Sequence, residues 1–156
     1  MPDLVDSSTL AKGSAADLRK RSVVICDNFY KYRNQIKYSQ SRPTQLRWPR
    51  FTTRSDCSGL VSSVFNLLGM LPGTNWAYQN TWSLIRRGRP VIDKAHALPL
   101  DLVFYGPREN DPTHVAIVIG HDRVLSNGHY PMSHYQIDYR PDRIAIRRYV
   151  GADPSA

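Results

Sequence analysis

The chain has 156 residues, a length that fits one domain and can bury a core without staples. Hydrophobic residues make up 41%, which argues against disorder of the whole chain, and two cysteines exclude a disulfide-rich scaffold. Lys plus Arg number 21 against 13 Asp plus Glu; the formal net charge of +8 favours an anionic partner, whether nucleic acid, membrane surface or wall polymer, and no apolar run is long enough to span a membrane.

Residues 1–14 are small and polar and read as a flexible N-terminus. A helical pattern begins at Ala15, where Leu18, Ser22, Ile25, Phe29, Tyr32 and Ile36 recur at three- and four-residue steps. Cys26 lies beside that stripe and reads as a small buried hydrophobe. Residues 37–56 break the periodicity with Pro43, Pro49 and many polar side chains, and read as loop. Ser55 or Asp56 can cap a second helix, whose apolar face is Leu60, Val61, Val64, Phe65 and Leu68 and whose stop is Gly69. A short helix is expected around Thr81–Arg87. From Val91 the pattern turns to β: strands are expected at Leu102–Tyr105, His114–Ile119, Val124–Ser126 and Ile144–Val150. Helices first and a small antiparallel sheet afterwards is the α+β order. Residues 15–150 form the expected domain, and 151–156 a flexible tail or linker stub.

Cys57 directly follows its helix's expected cap. Helix N-termini carry unpaired N–H groups and a partial positive charge, which favour a thiolate and can hold an oxyanion. A thiolate needs a base. His114 opens an apolar strand, and period-2 alternation puts it on one face with Ala116 and Val118, small residues suited to packing against the helix that carries Cys57. A base needs an orienting group. Asn127 can accept from the imidazole through its amide oxygen, although Asn127-Gly128 also reads as a turn. Ser126 and His129 are rivals for this third place.

The blocks Asp56-Cys57-Ser58-Gly59-Leu60-Val61, Asp101-Leu102-Val103-Phe104-Tyr105 and His114-Val115-Ala116-Ile117-Val118-Ile119-Gly120 resemble, in order and spacing, the NlpC-type cell-wall cysteine peptidases. The resemblance covers roughly residues 30–150. It implies a papain-like α+β fold with N-terminal helices on a small antiparallel sheet, and cleavage of peptidoglycan stem peptides at the γ-D-glutamyl–diaminopimelate bond with no metal or other cofactor. It also implies that Tyr38 lines the site and that Asp56 and Ser58 bind the substrate's amino end. Three departures stand out: Leu100 replaces a glycine, Ser39-Gln40-Ser41 replaces an aromatic-Gly-Gly segment, and Asn127 stands where the family often has His.

Among these peptidases the chain is most similar to phage endolysin domains. Met1-Pro2-Asp3-Leu4-Val5-Asp6 has no basic segment followed by an apolar stretch, so no secretory signal is expected. Such a protein is made in the cytoplasm and reaches the wall through a holin pore or by injection. The same machinery serves a muramoyl–L-alanine amidase or an injected antibacterial toxin. Of other classes, a zinc hydrolase lacks its ligand spacing, since His129 and His134 stand five apart with no paired motif. A non-catalytic wall-binding module has no need of both Cys57 and His114. Nucleic acid is disfavoured as a partner: Trp48, Arg50, Phe51 and Arg54 interleave aromatic and basic groups, but read better as a packed loop than as a stacking platform. Anionic wall polymers remain the partner that the charge favours.

Overall fold

The computed structural model describes residues 14–46 and 53–151. The expected flexible N-terminus up to residue 13, most of the tail, and Trp48, Arg50 and Phe51 therefore lie outside the described residues. Helix α1 spans Ala15–Lys31, and Ser14 caps it by accepting the Asp17 N–H at 3.1 Å. It buries Leu18, Ser22, Ile25, Cys26 and Phe29, the face given by the periodicity. The helix stops at Lys31, short of the expected Ile36. A 3-10 turn over Arg33–Gln35 redirects the chain, and Ile36 opens strand β1 (Ile36–Tyr38).

Residues 37–56 are not all loop. Strand β2 (Thr53–Ser55) pairs in parallel with β1, setting Tyr38 opposite Ser55. Periodicity cannot find strands of three residues; the pairing itself makes them. Helix α2 (Cys57–Leu67) follows, buried at every position from Cys57 to Phe65, and it packs against α1, β5 and the short helix α3 (Thr81–Ile85).

The remaining strands are β3 (Arg89–Pro90), β4 (Leu102–Tyr105), β5 (His114–Gly120), β6 (Arg123–Ser126), β7 (Ser133–Tyr135) and β8 (Arg143–Arg148). They form one antiparallel six-stranded sheet in the order β3-β8-β4-β5-β6-β7. The four longer strands were legible as apolar runs. The outer strands β3 and β7 were not, being short and carrying half-exposed or polar residues.

Both faces of the sheet are covered, which explains why β4 and β5 are apolar at successive positions. Leu102, Phe104, Val115 and Ile117 face the helices and join their core. Val103, Tyr105, Ala116 and Val118 face away into a second cluster, closed by Val91, Ile137, Tyr135 and Tyr139. Between them the chain buries an ion pair: Arg148 donates to both carboxylate oxygens of Asp101 at 2.9 and 2.8 Å, with both side chains 1% exposed. Asp101 is preceded by Leu100 at φ 81, a left-handed conformation that suits the glycine expected there, yet the leucine is 1% exposed in the helix-side core. Among the described residues no helix is long and apolar enough to cross a membrane.

Candidate active site

Asp56, not Ser55, caps α2: its Oδ1 accepts the Gly59 N–H at 2.8 Å. Cys57 is thereby the first residue of the helix, 8% exposed. Its sulfur lies 3.7 Å from Thr81 Oγ1, and the backbone N–H groups of Ser58 and Val115 also favour the charged form. Burial outweighs them and pushes the thiol up from its ordinary value, with the Asp56 charge adding to it. This corrects the expectation that the helix N-terminus alone would depress it: the sulfur is held in a desolvated place. Cys26 is pushed up by burial as well, and no cleft reaches it among those described below.

His114 is 5% exposed, and burial, followed by the nearby Arg140 cation, lowers its imidazole from 6.5 to about 4. At neutral pH the ring is therefore uncharged and able to accept a proton. Its expected orientation needs correcting. Val115 and Ile117, rather than Ala116 and Val118, face the helices. His114 shares a face with Tyr105, opposite it in register and with ring centroids 5.6 Å apart. As the strand's first residue it stands where the sheet ends, and there it lines one cleft with Cys57.

The third position is also corrected. Asn127 is fully buried, and its amide nitrogen donates to Ser55 Oγ at 2.9 Å and to the carbonyls of Ser55 and Asp56 at 3.3 Å each. Two of those partners only accept, so the NH₂ must point at them. The side chain ties the end of β6 to the cap of α2 and makes no hydrogen bond to His114, its amide oxygen being without a partner among the described residues. It does not form the expected two-residue hairpin turn either, because that turn needs a positive φ at Asn127, which the residue lacks. The imidazole's partner is Ser126, whose Oγ lies 2.8 Å from Nε2. His129 is exposed at the rim of the cleft.

Cys57 and His114 line one cleft of about 320 Å³ together with Tyr38, Gln40, Thr113, Ser126, Tyr139 and Arg140, among others. Tyr38 accepts from the Gln40 amide at 2.9 Å. A second arm, of about 490 Å³, shares Gln40, Cys57 and Thr113 with this cleft and runs past Arg42, Asp56, Ser58, Thr81 and Trp82. A larger cleft of about 950 Å³ contains neither Cys57 nor His114, but it shares Trp82 and Pro112 with this arm. Chemistry, not size, makes the smaller clefts the candidate site.

Asp56 and Ser58 stand on the second arm, but they are already engaged. Arg42 Nη2 reaches both Asp56 carboxylate oxygens at 3.2 Å and Ser58 Oγ at 2.9 Å. Its other nitrogens bind the carbonyls of Gln79, Gln40 and Ser41. The arginine clamps the 40–42 loop to the cap of α2. Sequence reasoning missed Arg42, Thr81 and Tyr139, which come from separate loops and a five-residue helix and carry no motif. Among the described residues no group of three or more His, Cys, Asp or Glu could hold a metal.

The family model that matches the chain is that of the NlpC/P60 family, over residues 34–151. The fold is that of NlpC/P60 structures. NlpC1 from Trichomonas vaginalis superposes with a TM-score of 0.64 at 19% identity, covering 90% of this chain and 46% of that one. The peptidoglycan hydrolase RipB from Mycobacterium tuberculosis gives 0.64 at 20% identity, with 90% and 70% covered. The NlpC/p60 domain of the peptidoglycan hydrolase SagA gives 0.54 at 19% identity, with 83% and 97% covered. The chain spans less than half the length of the two Trichomonas proteins it matches, 46% and 48%. No curated protein matches it in sequence.

Proposed function

The chain belongs to the NlpC/P60 family, and from that premise we propose that it is a cysteine peptidase that hydrolyses peptidoglycan stem peptides, acting on the bacterial wall as a phage endolysin. The observation that carries the hydrolase reading is the cleft shared by Cys57, at a capped helix start, and a neutral His114. The bond assigned, γ-D-glutamyl to diaminopimelate, and the endolysin role follow from the family resemblance. Release through a holin pore is the corresponding route to the wall.

The burial of both groups shapes the mechanism. A raised thiol and a lowered imidazole make the resting pair neutral at pH 7, so the proton moves as the bond forms. Turning about its χ1, Cys57 leaves Thr81 and approaches the imidazole. Its thiol proton passes to His114 as the sulfur attacks the amide carbonyl. Backbone N–H groups at the start of α2 stabilise the oxyanion. His114 gives the proton to the leaving amine, and a thioester remains. Water then attacks the thioester and loses a proton to the same imidazole, which returns it to the departing sulfur; the thiol and a carboxylic acid are freed, and the acid ionises to solvent. Substrate residues on the two sides of the bond have a cleft arm each.

The test is digestion of diaminopimelate-type peptidoglycan by the wild type and by Cys57→Ala and Cys26→Ala, with mass spectrometry of the released fragments. Fragments from the wild type and Cys26→Ala, and none from Cys57→Ala, are expected. Fragments that break between D-glutamate and diaminopimelate support the bond proposed; muramic acid freed of its L-alanine means an amidase instead. Equal activity of the two variants would remove Cys57 from its role.

A further inference from the structure

We propose that Tyr139 is a positioning residue for the base: through the Ser126 hydroxyl it holds His114 in the tautomer whose second ring nitrogen is free to take the Cys57 proton. The inference rests on reading Cys57 and His114 as nucleophile and base.

Ser126 Oγ lies 2.8 Å from His114 Nε2 and 3.3 Å from Tyr139 Oη. The link can run with either polarity. If Nε2 carries the ring proton and donates to Ser126, then Ser126 donates to Tyr139, and Nδ1 keeps a free lone pair. If instead Ser126 donates to Nε2, the ring proton sits on Nδ1, and the one basic lone pair, on Nε2, is already taken up by the serine. The first polarity leaves no buried donor unmatched. Ser126 is 3% exposed, and its proton finds the phenolic oxygen; Tyr139, half-buried on the cleft wall, can send its own O–H into the cleft. Without the phenolic oxygen, Nε2 is the remaining acceptor for the Ser126 proton, and the chain reverses to the inactive polarity.

The phenol is well placed to act in this way. Its ring stacks on Tyr135 with centroids 4.1 Å apart and 11° between planes, and meets Tyr105 edge-on at 5.4 Å. Its neighbour Arg140 is pinned to Asp142 by two bonds of 2.9 and 2.7 Å and lies over the Tyr105 ring. A serine as the partner of the base makes this support necessary. A carboxylate can only accept from the imidazole, whereas a hydroxyl accepts freely only when its own proton has another acceptor, which the phenolic oxygen supplies.

The experiment uses Tyr139→Phe, which keeps the ring packing, and Ser126→Ala. Nitrogen-15 NMR of histidine-labelled protein reads which nitrogen of His114 is protonated, and mass mapping reads the rate of Cys57 alkylation by iodoacetamide at neutral pH. The wild type is expected to carry the proton on Nε2. Tyr139→Phe should move it to Nδ1 and slow alkylation about tenfold, the size of one lost hydrogen bond. In the Ser126→Ala background Tyr139→Phe should do nothing further. An unchanged tautomer and alkylation rate in Tyr139→Phe, or a wild type protonated on Nδ1, would overturn the inference. Neither readout uses peptidoglycan. A protein that cleaves the wall but ignores Tyr139→Phe sinks this inference alone, and one that responds to Tyr139→Phe without cleaving the wall sinks the substrate reading alone.

Discussion

A buried imidazole lowered to about 4 is a cost to the fold in acid. The unfolded chain takes up a proton near 6.5, while the folded one resists it until about 4, so stability is full above 6.5 and is lost as the pH falls between these values. The loss amounts to about 3 kcal/mol by linkage. Chemical denaturation at pH 7.5 and pH 4.5 should show it in the wild type, and His114→Gln should flatten the slope; an equal slope in both would place the titration elsewhere. Gly128 belongs to the same scale. A Cβ on it would stand 2.9 Å from His114 Cε1. Gly128→Ala should therefore displace the ring and lower kcat with little change in stability, measured as wall-digestion rate against Tm. Asn127→Ala should do the reverse of a base-orienting mutant. It removes the tie between β6 and the cap of α2, costing about 1–3 kcal/mol, while the His114 tautomer read by NMR stays as it was.

The start of α2 depends on one aspartate with two duties. Asp56 caps the helix through the Gly59 N–H and compensates Arg42. Asp56→Ala should cost about 1–2 kcal/mol for the cap alone, with more from the partly buried guanidinium left without its carboxylate. Asp56→Ser, which restores a cap but no charge, should recover part of that stability in a urea melt; no recovery would mean that the ion pair, not the cap, is what matters. At the level of elements the sequence was legible where apolar period and cap signals coincide, in α1, α2 and the inner strands. It was not legible where an element exists only through its partner. β1 and β2 are three residues each and hold one another. β7 is held by β6, and its Tyr135 backs Tyr139. The pair Asp101–Arg148 joins the start of β4 to the end of β8 inside the protein. Asp101→Ala should cost about 3–5 kcal/mol, because it leaves a buried cation without its carboxylate.

The whole molecule carries a formal net charge of +8. That charge would hold the protein on anionic wall polymers by long-range attraction screened over about 10 Å at 0.1 M salt. Sedimentation with purified walls should therefore show binding that weakens as salt rises; binding indifferent to salt would assign it to contacts in the cleft instead.

The order of the Asp-Cys-Ser-Gly, Asp-Leu-Val-Phe-Tyr and His-Val-Ala-Ile-Val-Ile blocks by itself determined the family, the α+β class, and the identities of Cys57 and His114 as candidates, because local capping, apolar periodicity and motif order are properties of adjacent residues. Which face of β5 meets the helices was not determined. The inner strands are apolar on both faces, so alternation points two ways, and only the packing of α1 and α2 chose Val115 and Ile117. The partner of His114 was not determined either. Ser126 and Asn127 are adjacent in the chain, and the strand pleat sends one to the imidazole and the other to the cap of α2. Arg42 and Tyr139 enter the site from far along the chain, and the protonation of the Cys57–His114 pair is set by how deeply the fold buries it. Depth and long-range contact exist only once the chain has closed on itself, and the tertiary structure alone decided them.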